Sequence, residues 1–412
     1  MIAKQLICDL AIFGGAPLFD EPLHVGAPNI GDRCRLLQRI NDILDKRWLS
    51  NNGPYVQEFE FQIAKLVSVR HCVAMCNATI ALEIAIRALG LSGEVIVPSL
   101  TFVATAHALQ WQQIRPIFCD VDRKTYTLDP VQVEKLISPQ TTGILGVHLW
   151  GKVGAHKDLA TLATQHNLRL LYDAAHAFNC SHNGQTVGSF GDAEVFSFHA
   201  TKFFNSFEGG AVVTNDDALV ERMRLMRNFG FAGYDQVDYV GTNGKMTEVA
   251  AAMGLTSLES LDHFVAVNHH NYKLYQRHLA HIPGIYLIEY DEQEQNNFQY
   301  MVVEVDEAES GISRDQLLEI LWSENVRARR YFYPGCHRME PYATLYPGQE
   351  ANLPVTEAVV KRVLILPTGT TIGDGYIEQI CELIRRVIQH APVVRTALTE
   401  RSPQNGRYYA SS

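Results

Sequence analysis

The sequence has little of what marks a membrane protein or a nucleic-acid-binding protein. No stretch approaches the roughly 20 apolar residues that a membrane-spanning helix needs. The start of the chain, with a short apolar run broken by Asp9, makes a poor signal peptide. The 412 residues carry a net charge of −10, so a general nucleic-acid-binding surface is not expected. We therefore expect a cytoplasmic protein with no membrane or nucleic-acid partner.

Two further patterns are missing. The eight cysteines are scattered, and although Cys72 and Cys76 are close, no second pair completes a zinc pattern. We expect reduced, buried thiols and no metal site. No glycine-rich G-x-G-x-x-G turn follows the early strand-like segments, which argues against a dinucleotide-binding oxidoreductase.

What is present predicts a two-domain enzyme of the α/β class. A chain of 412 residues with 47% hydrophobic and 19% charged residues is typical of a globular enzyme with more than one domain. From about residue 70, short apolar runs such as EVIVP (94–98) and LRLLYD (168–173) alternate with helix-forming segments. Runs without in–out alternation indicate strands that are buried on both faces. The pattern therefore predicts a mainly parallel central sheet flanked by helices.

The pattern changes near residue 246 and gives the predicted domain organisation. Residues 15–245 are predicted to form the large domain. Residues 246–280 contain no proline and predict one long linking helix. Residues 281–395 predict a smaller C-terminal α+β domain, and the polar residues 396–412 predict a loose tail.

Two predicted strand ends carry residues suited to binding charged groups. In CNAT (76–79) a strand ends and a helix begins, where free backbone N–H groups attract a phosphate. An ordinary N-cap by Asn77 or Thr79 is the alternative. In YDAAHA (172–177), Asp173 ends an apolar strand, where a carboxylate needs a cationic partner or several donors. Asp173 could instead cap a helix, and His176 could be a core histidine.

The third segment is SFHATK, in which Lys202 lies among small and apolar residues. A lysine in such surroundings loses its proton more readily and can act as a nucleophile. A surface lysine is the alternative. Together the three segments fit pyridoxal phosphate, which needs a lysine for the Schiff base, a carboxylate for its pyridinium nitrogen and an anion site for its phosphate.

Longer segments carry a family resemblance. They are RWLSNNGPYVQEFE, CNATIALEIAIRALG, EVIVPSLTFVATAHA, DAAHAF, SFHATKFFNSFEGGAVVTND, RNFGF and GTNGKMTEVAAAMGL. As a set they resemble the DegT/StrS family of nucleotide-sugar aminotransferases, which has the type I pyridoxal-phosphate fold, and the resemblance covers roughly residues 15–395.

The resemblance implies roles for individual residues. Lys202 is the expected Schiff-base lysine, and Asp173 is the expected partner of the pyridinium nitrogen. His176 is expected to lie near the phenolic oxygen of the cofactor. All three are expected to be catalytic. Phe102 is expected to stack on the ring. The expected phosphate cradle consists of Asn77, Ala78, Thr79 and Ser197. Asn243 is expected to reach the phosphate from a neighbouring subunit, which implies a homodimer.

Three details accompany the resemblance. The family usually has glycine where this chain has Ala78, whose methyl group restricts the backbone and crowds a phosphate. This predicts either weaker cofactor binding or a slight shift of the loop, without loss of binding. Gly209 and Gly210, after Glu208, are expected to let the chain turn sharply beside the cofactor. Some family members carry histidine in place of the Schiff-base lysine and remove a sugar hydroxyl, and Lys202 argues against that branch.

The segments VPSLTFVATAHALQW, VHLWG and GTNGKMTE most resemble the branch that aminates C4 of dTDP-4-keto-6-deoxyglucose, with L-glutamate as the expected donor. Lys245, Arg330 and Tyr331, together with Arg327 and Arg329, are candidates for binding the substrate diphosphate; a solvated basic face is the alternative. A C3-aminating relative on the same fold remains open. A non-catalytic regulator is a further alternative, against which the intact Lys202 and Asp173 argue.

Overall fold

The computed structural model describes residues 6–400, and its strands and helices follow the alternation seen in the sequence. In chain order, the strands are β1 (Leu23–His24), β2 (His71–Met75), β3 (Glu94–Pro98), β4 (Arg115–Cys119), β5 (Thr141–Val147), β6 (Arg169–Asp173), β7 (Ser181–His182), β8 (Gln185–Thr186), β9 (Ala193–Ser197), β10 (Gly210–Thr214), β11 (Phe231–Gly233), β12 (Gln236–Val237), β13 (Ile285–Leu287), β14 (Met301–Val305), β15 (Val326–Arg327) and β16 (Val363–Leu366).

The α-helices are α1 (Arg33–Lys46), α2 (Pro54–Leu66), α3 (Ala78–Ala88), α4 (Val103–Gln110), α5 (Pro130–Leu136), α6 (His156–Gln165), α7 (Asp217–Arg227), α8 (Glu248–Glu259), α9 (Leu261–Leu279), α10 (Glu307–Ser310), α11 (Arg314–Ser323), α12 (Tyr342–Leu345), α13 (Pro354–Val360), α14 (Asp374–Gln389) and α15 (Ala391–Glu400). Several begin at the side-chain caps that helix starts favour, such as Asn77 before α3 and Thr247 before α8.

A seven-stranded sheet forms the centre of the large domain, in the order β2-β10-β9-β6-β5-β3-β4. Strand β10 runs antiparallel to both of its neighbours, and the other strand pairs are parallel. This arrangement confirms the predicted mainly parallel α/β sheet. Because the strands other than β10 share one direction, their carboxyl ends meet at a single edge of the sheet.

Helices cover both faces of this sheet, which explains why its strands are apolar throughout. In β2, Cys72 and Ala74 contact the core that includes α2, α5, α6 and α8, whereas Val73 and Met75 contact the core that includes α3, α4 and α7. A strand packed in this way has no solvent-facing side, so the sequence shows no alternation of apolar and polar residues.

The small domain is built on an antiparallel sheet in the order β13-β14-β16, packed against α9, α11 and α14. Its core also contains Leu18 and Phe19, although the sequence assigned residues from 15 onward to the large domain. The carboxylate of Glu324 fixes this N-terminal segment by accepting hydrogen bonds from the backbone N–H groups of Ala11 and Leu18, both at 2.7 Å. Strand β1 then pairs in parallel with β15.

The region predicted as one linking helix consists of two helices that meet at Ser260. Helix α8 contributes Ala251 and Leu255 to the large-domain core, whereas α9 contributes Tyr272 and Tyr275 to the small-domain core. The change of domain therefore falls at Ser260, where no proline or glycine marks it. The predicted loose tail begins inside α15, and its residues 401–412 lie outside the described residues. Within residues 6–400, none of the helices combines the length and apolar character needed to cross a membrane.

Candidate active site

A cavity of about 800 Å³ opens at the carboxyl edge of the central sheet, where ligands of open α/β sheets usually bind. The ends of β5, β6 and β9 place Val147, Asp173 and Ser197 in its floor. The opposite wall comes from the small domain and from the N-terminal segment 24–28. The cavity therefore lies between the two domains.

Lys202 lies in the connection between β9 and β10 and extends into this cavity. Its Nζ donates a hydrogen bond to the Tyr300 hydroxyl at 3.1 Å. Burial lowers the pKa of Lys202 to about 8, and the charge of Asp173 partly opposes this shift. A lysine with this pKa is partly neutral near neutral pH and can act as a nucleophile.

Asp173 ends β6 and is buried. Its Oδ2 accepts a hydrogen bond from the Thr105 hydroxyl at 2.8 Å, and its Oδ1 accepts one from the backbone N–H of Ala175 at 3.1 Å. Burial raises the pKa of Asp173, while these two hydrogen bonds and the nearby charge of Lys202 act in the opposite direction. A positively charged ring nitrogen in the cavity would further favour the carboxylate.

His176 is buried and lines the cavity, so it is both a packed core histidine and a cavity residue. The backbone N–H of Trp150 donates to its Nδ1 at 3.3 Å, which assigns the ring proton to Nε2. Burial and the charge of Lys202 lower the pKa of His176 well below its usual value. The ring is therefore neutral and can donate a hydrogen bond from Nε2.

The predicted phosphate cradle lies at the start of α3. Asn77 caps this helix, with its Oδ1 accepting from the Ile80 N–H at 2.9 Å. Asn77, Ala78 and Thr79 also line the cavity. The start of α3 is therefore capped by Asn77 and also faces the place where a phosphate is predicted to bind. Ala78 has ordinary helical backbone geometry, so a methyl group there adds no backbone strain.

The two glycines after Glu208 serve close packing, and the chain bends just before them, at Phe207 and Glu208. Neither Gly209 nor Gly210 has a positive φ, and Gly210 is the first residue of β10. A Cβ at Gly210 would lie 2.6 Å from the backbone nitrogen of Ala78, and a Cβ at Gly209 would lie 2.1 Å from the Ser206 hydroxyl. Glycine here lets β10 approach the start of α3.

Phe102 precedes α4 and lines the cavity with 56% of its surface exposed. Its ring centroid is 5.8 Å from that of Phe332, which belongs to the opposite wall. A large apolar ring exposed inside a cavity gains free energy when a flat ligand covers it.

Several predicted site residues lie elsewhere in the single chain. Asn243 is exposed and Lys245 donates from Nζ to the Asn228 side chain at 3.1 Å; neither lines the cavity. Arg330 also lies outside the cavity lining, because it pairs with Asp315 at 2.9 Å and stacks over Tyr333.

Some predicted substrate-binding residues line the cavity, and so do residues that the sequence analysis did not single out. Tyr331 lines the cavity, as do Arg327 and Arg329. Sequence reasoning missed Thr105, Tyr300 and the N-terminal segment 24–28. Within that segment, Gly26 is the one residue whose type could have drawn attention to it. The structure explains the glycine by its φ of +78° and its close approach to Thr201.

The fold and the residues at the sheet edge define a type I pyridoxal-phosphate aminotransferase fold, which solved structures of this class share. More particularly, the chain belongs to the DegT/DnrJ/EryC1/StrS aminotransferase family, whose profile matches residues 32–385. It is an aminotransferase, as the sequence predicted.

Three known proteins show the extent of the likeness. The dTDP-4-amino-4,6-dideoxy-D-glucose transaminase of Shigella dysenteriae is 35% identical over 368 residues, which cover 89% of this chain and 100% of the relative. GDP-perosamine synthase of Caulobacter vibrioides is 32% identical over 376 residues, which cover 89% and 98%. The solved structure of DesI in the presence of its TDP-sugar product is 49% identical with a TM-score of 0.92, covering 96% of this chain and 100% of DesI.

The residues in the cavity fit pyridoxal phosphate. Lys202 supplies an amine with a lowered pKa, and the buried carboxylate of Asp173 favours a cationic partner. The start of α3 supplies backbone N–H groups at the cavity wall, and Phe102 supplies an exposed ring. These features match the amine, carboxylate, anion site and flat surface that the cofactor requires.

The lowered pKa of Lys202 predicts how its reactivity depends on pH. In cofactor-free protein, the rate at which an amine-acylating reagent modifies Lys202 should rise with pH and reach half its maximum near pH 8. The neutral amine is the reactive form, and an exposed lysine reaches this point near a pH of about 10.4. Peptide mass spectrometry of protein sampled at short times measures the rate. A midpoint in the usual lysine range would contradict the burial argument.

Proposed function

We propose that this chain transfers an amino group from L-glutamate to C4 of dTDP-4-keto-6-deoxy-D-glucose, giving dTDP-4-amino-4,6-dideoxy-D-glucose, with pyridoxal phosphate bound by Lys202. The main support is the cavity that joins Lys202 and Asp173 in a chain 35% identical to a transaminase named for this sugar. The 49% identity to DesI, solved with a TDP-sugar, also favours a thymidine nucleotide.

The residues of the cavity divide the work of this reaction. When bound, pyridoxal phosphate supplies the electron sink that lets the α-carbon of the amino donor lose a proton. Lys202 takes that proton at Nζ and returns it as general base and acid, which its pKa of about 8 suits. With the cofactor bound, the Asp173 carboxylate would favour a protonated ring nitrogen, and the neutral His176, with its proton on Nε2, could donate a hydrogen bond to the phenolic oxygen.

The substrate diphosphate needs cations at the cavity wall. Arg327 and Arg329 line the cavity, and His24 lies beside Arg327 because β1 pairs with β15 in that register. Tyr331 lines the same region. We infer that Arg327 and Arg329 bind the diphosphate in place of Arg330, whose guanidinium pairs with Asp315.

Substitution of two neighbouring arginines tests this assignment. Arg329→Ala should raise the KM for the nucleotide sugar by about tenfold to a hundredfold, the scale of one lost hydrogen bond to a charged group. Arg330→Ala should change this KM by less than about threefold, because Arg330 lies outside the cavity lining and pairs with Asp315.

Steady-state rates with varied nucleotide sugar at saturating glutamate give both KM values. The KM for glutamate serves as the control in each variant. A larger effect from Arg330→Ala than from Arg329→Ala would restore the assignment made from the sequence.

We further propose a homodimer in which Asn243 completes the phosphate site of the partner subunit. Asn243 is exposed and does not line the cavity of its own chain. The same region exposes apolar side chains that a second copy would cover: Phe229, Phe231, Tyr234, Val237 and Val240.

Mixing two inactive variants tests whether Asn243 acts across the subunits. Lys202→Ala removes the amine and Asn243→Ala removes the phosphate contact, so each homodimer should be weakly active or inactive. A mixed dimer contains one site with both native residues if Asn243 acts in trans, and none if it acts in cis. The two proteins are co-expressed with different tags, and the mixed dimer is purified through both tags. We expect this mixed dimer to recover activity. Failure to recover it in a confirmed mixed dimer would place Asn243 outside the partner site.

Product analysis tests the proposed reaction itself. Purified protein with pyridoxal phosphate, L-glutamate and dTDP-4-keto-6-deoxyglucose should yield a product whose NMR spectrum places the amino group at C4. Amination at C3 of the corresponding 3-keto sugar would establish the alternative enzyme. Full biological activity of the Lys202→Ala protein would instead establish a non-catalytic regulator.

A further inference from the structure

Two consecutive residues of the small domain hold the lysine and its backbone. The Tyr300 hydroxyl accepts a hydrogen bond from Lys202 Nζ at 3.1 Å. The neighbouring Gln299 accepts one at its Oε1 from the backbone N–H of Phe203 at 3.4 Å. The side chain of Lys202 and the backbone that follows it are therefore both attached to the chain just before β14.

Contacts of both its ring and its backbone fix the position of Tyr300. Its ring centroid lies 4.5 Å from that of His176, and its backbone carbonyl accepts a hydrogen bond from the Tyr290 hydroxyl at 3.0 Å. Tyr300 is buried, although its side chain lines the cavity. Burial raises the pKa of Tyr300 well above its usual value, so the hydroxyl keeps its proton.

The position of this hydroxyl matters because Lys202 must change its bonding during the proposed reaction. An amine that is attached to a cofactor and later released would, once free, rotate about its four-carbon stem and lose the orientation that proton transfer requires. A fixed hydroxyl at hydrogen-bond distance limits that rotation and leaves the amine facing the cavity.

We propose that Tyr300 is a positioning residue for the reaction, whose hydroxyl holds Lys202 Nζ facing the cavity whenever the amine is free. The proposal rests on the proposed function, because it assigns Lys202 the role of the reacting amine. It also makes the orientation of a large-domain lysine depend on the small domain.

The first test measures the contact without catalysis. Tyr300→Phe is made in the full-length native chain and in the Lys202→Met background, and the shift in thermal midpoint is measured for both proteins without cofactor. If the hydroxyl binds Nζ, the two shifts differ, because the partner is missing from the second background. Tyr275→Phe is the matched control. The buried Tyr275 hydroxyl donates a hydrogen bond to the Pro367 carbonyl at 2.8 Å, and Tyr275 does not line the cavity. Its shift should be the same in both backgrounds.

The second test measures the role with pyridoxal phosphate bound. Tyr300→Phe should slow the single-turnover rate of amino transfer from glutamate by about threefold to tenfold, the scale of one lost hydrogen bond. The KM values for glutamate and the nucleotide sugar should stay unchanged, and Tyr275→Phe should match the native rate. A purely structural role would instead lower stability equally in both backgrounds and leave the rate of folded enzyme unchanged.

The outcomes separate this proposal from the proposed function. A native protein that transfers no amino group refutes the function, while the thermal comparison still reports whether the two side chains are coupled. Equal thermal shifts in the two backgrounds, or a native single-turnover rate in Tyr300→Phe, would overturn the role of Tyr300. A Tyr300→Phe protein that does not fold would also overturn it, because the hydroxyl would then serve the fold.

Discussion

The partial burial of the Lys202 amine at the cavity wall is the constraint on which the rest of the site depends. Burial lowers the pKa of Lys202, and the charge of the Asp173 carboxylate offsets part of this shift. Asp173 is subject to the opposite pair of effects, since burial favours its neutral form and Lys202 favours its ionised form. Each group therefore limits the shift of the other, and both remain close to the protonation states that proton transfer needs.

The sheet brings these two groups together although they come from different strands. Asp173 ends β6, and Lys202 follows β9, which pairs with β6 in parallel. The hydrogen-bonding partners come from further segments: Thr105 from α4 and Tyr300 from the small domain. The site is thus assembled by tertiary structure, and a change in the packing of either domain would alter the electrostatic balance between the two charges.

Several large-domain residues that the sequence singled out line the cavity, because strand ends and helix starts carry local signals. EVIVP and LRLLYD are apolar throughout, and the structure has strands at residues 94–98 and 169–173. The small-domain half left few such signals. Tyr300 lies between the polar residues 293–297 and the apolar strand β14, where no motif distinguishes it. Strand β1 has two residues, which are too few to show a strand pattern. Arg329 and Arg330 are adjacent, and only tertiary packing directs one toward the cavity and the other toward Asp315.

The pairing of β1 with β15 has a consequence for how the protein is made. Leu23 pairs with Val326, so the partner of the N-terminal segment is synthesised about 300 residues later. At about 5–20 residues per second, the ribosome needs on the order of 15–60 s to reach it. Until the chain reaches α9, Leu18 and Phe19 lack most of the core that buries them, because apart from N-terminal residues its members begin at Tyr272. The strands of the large-domain sheet are therefore all synthesised before the N-terminal segment can complete its wall of the cavity.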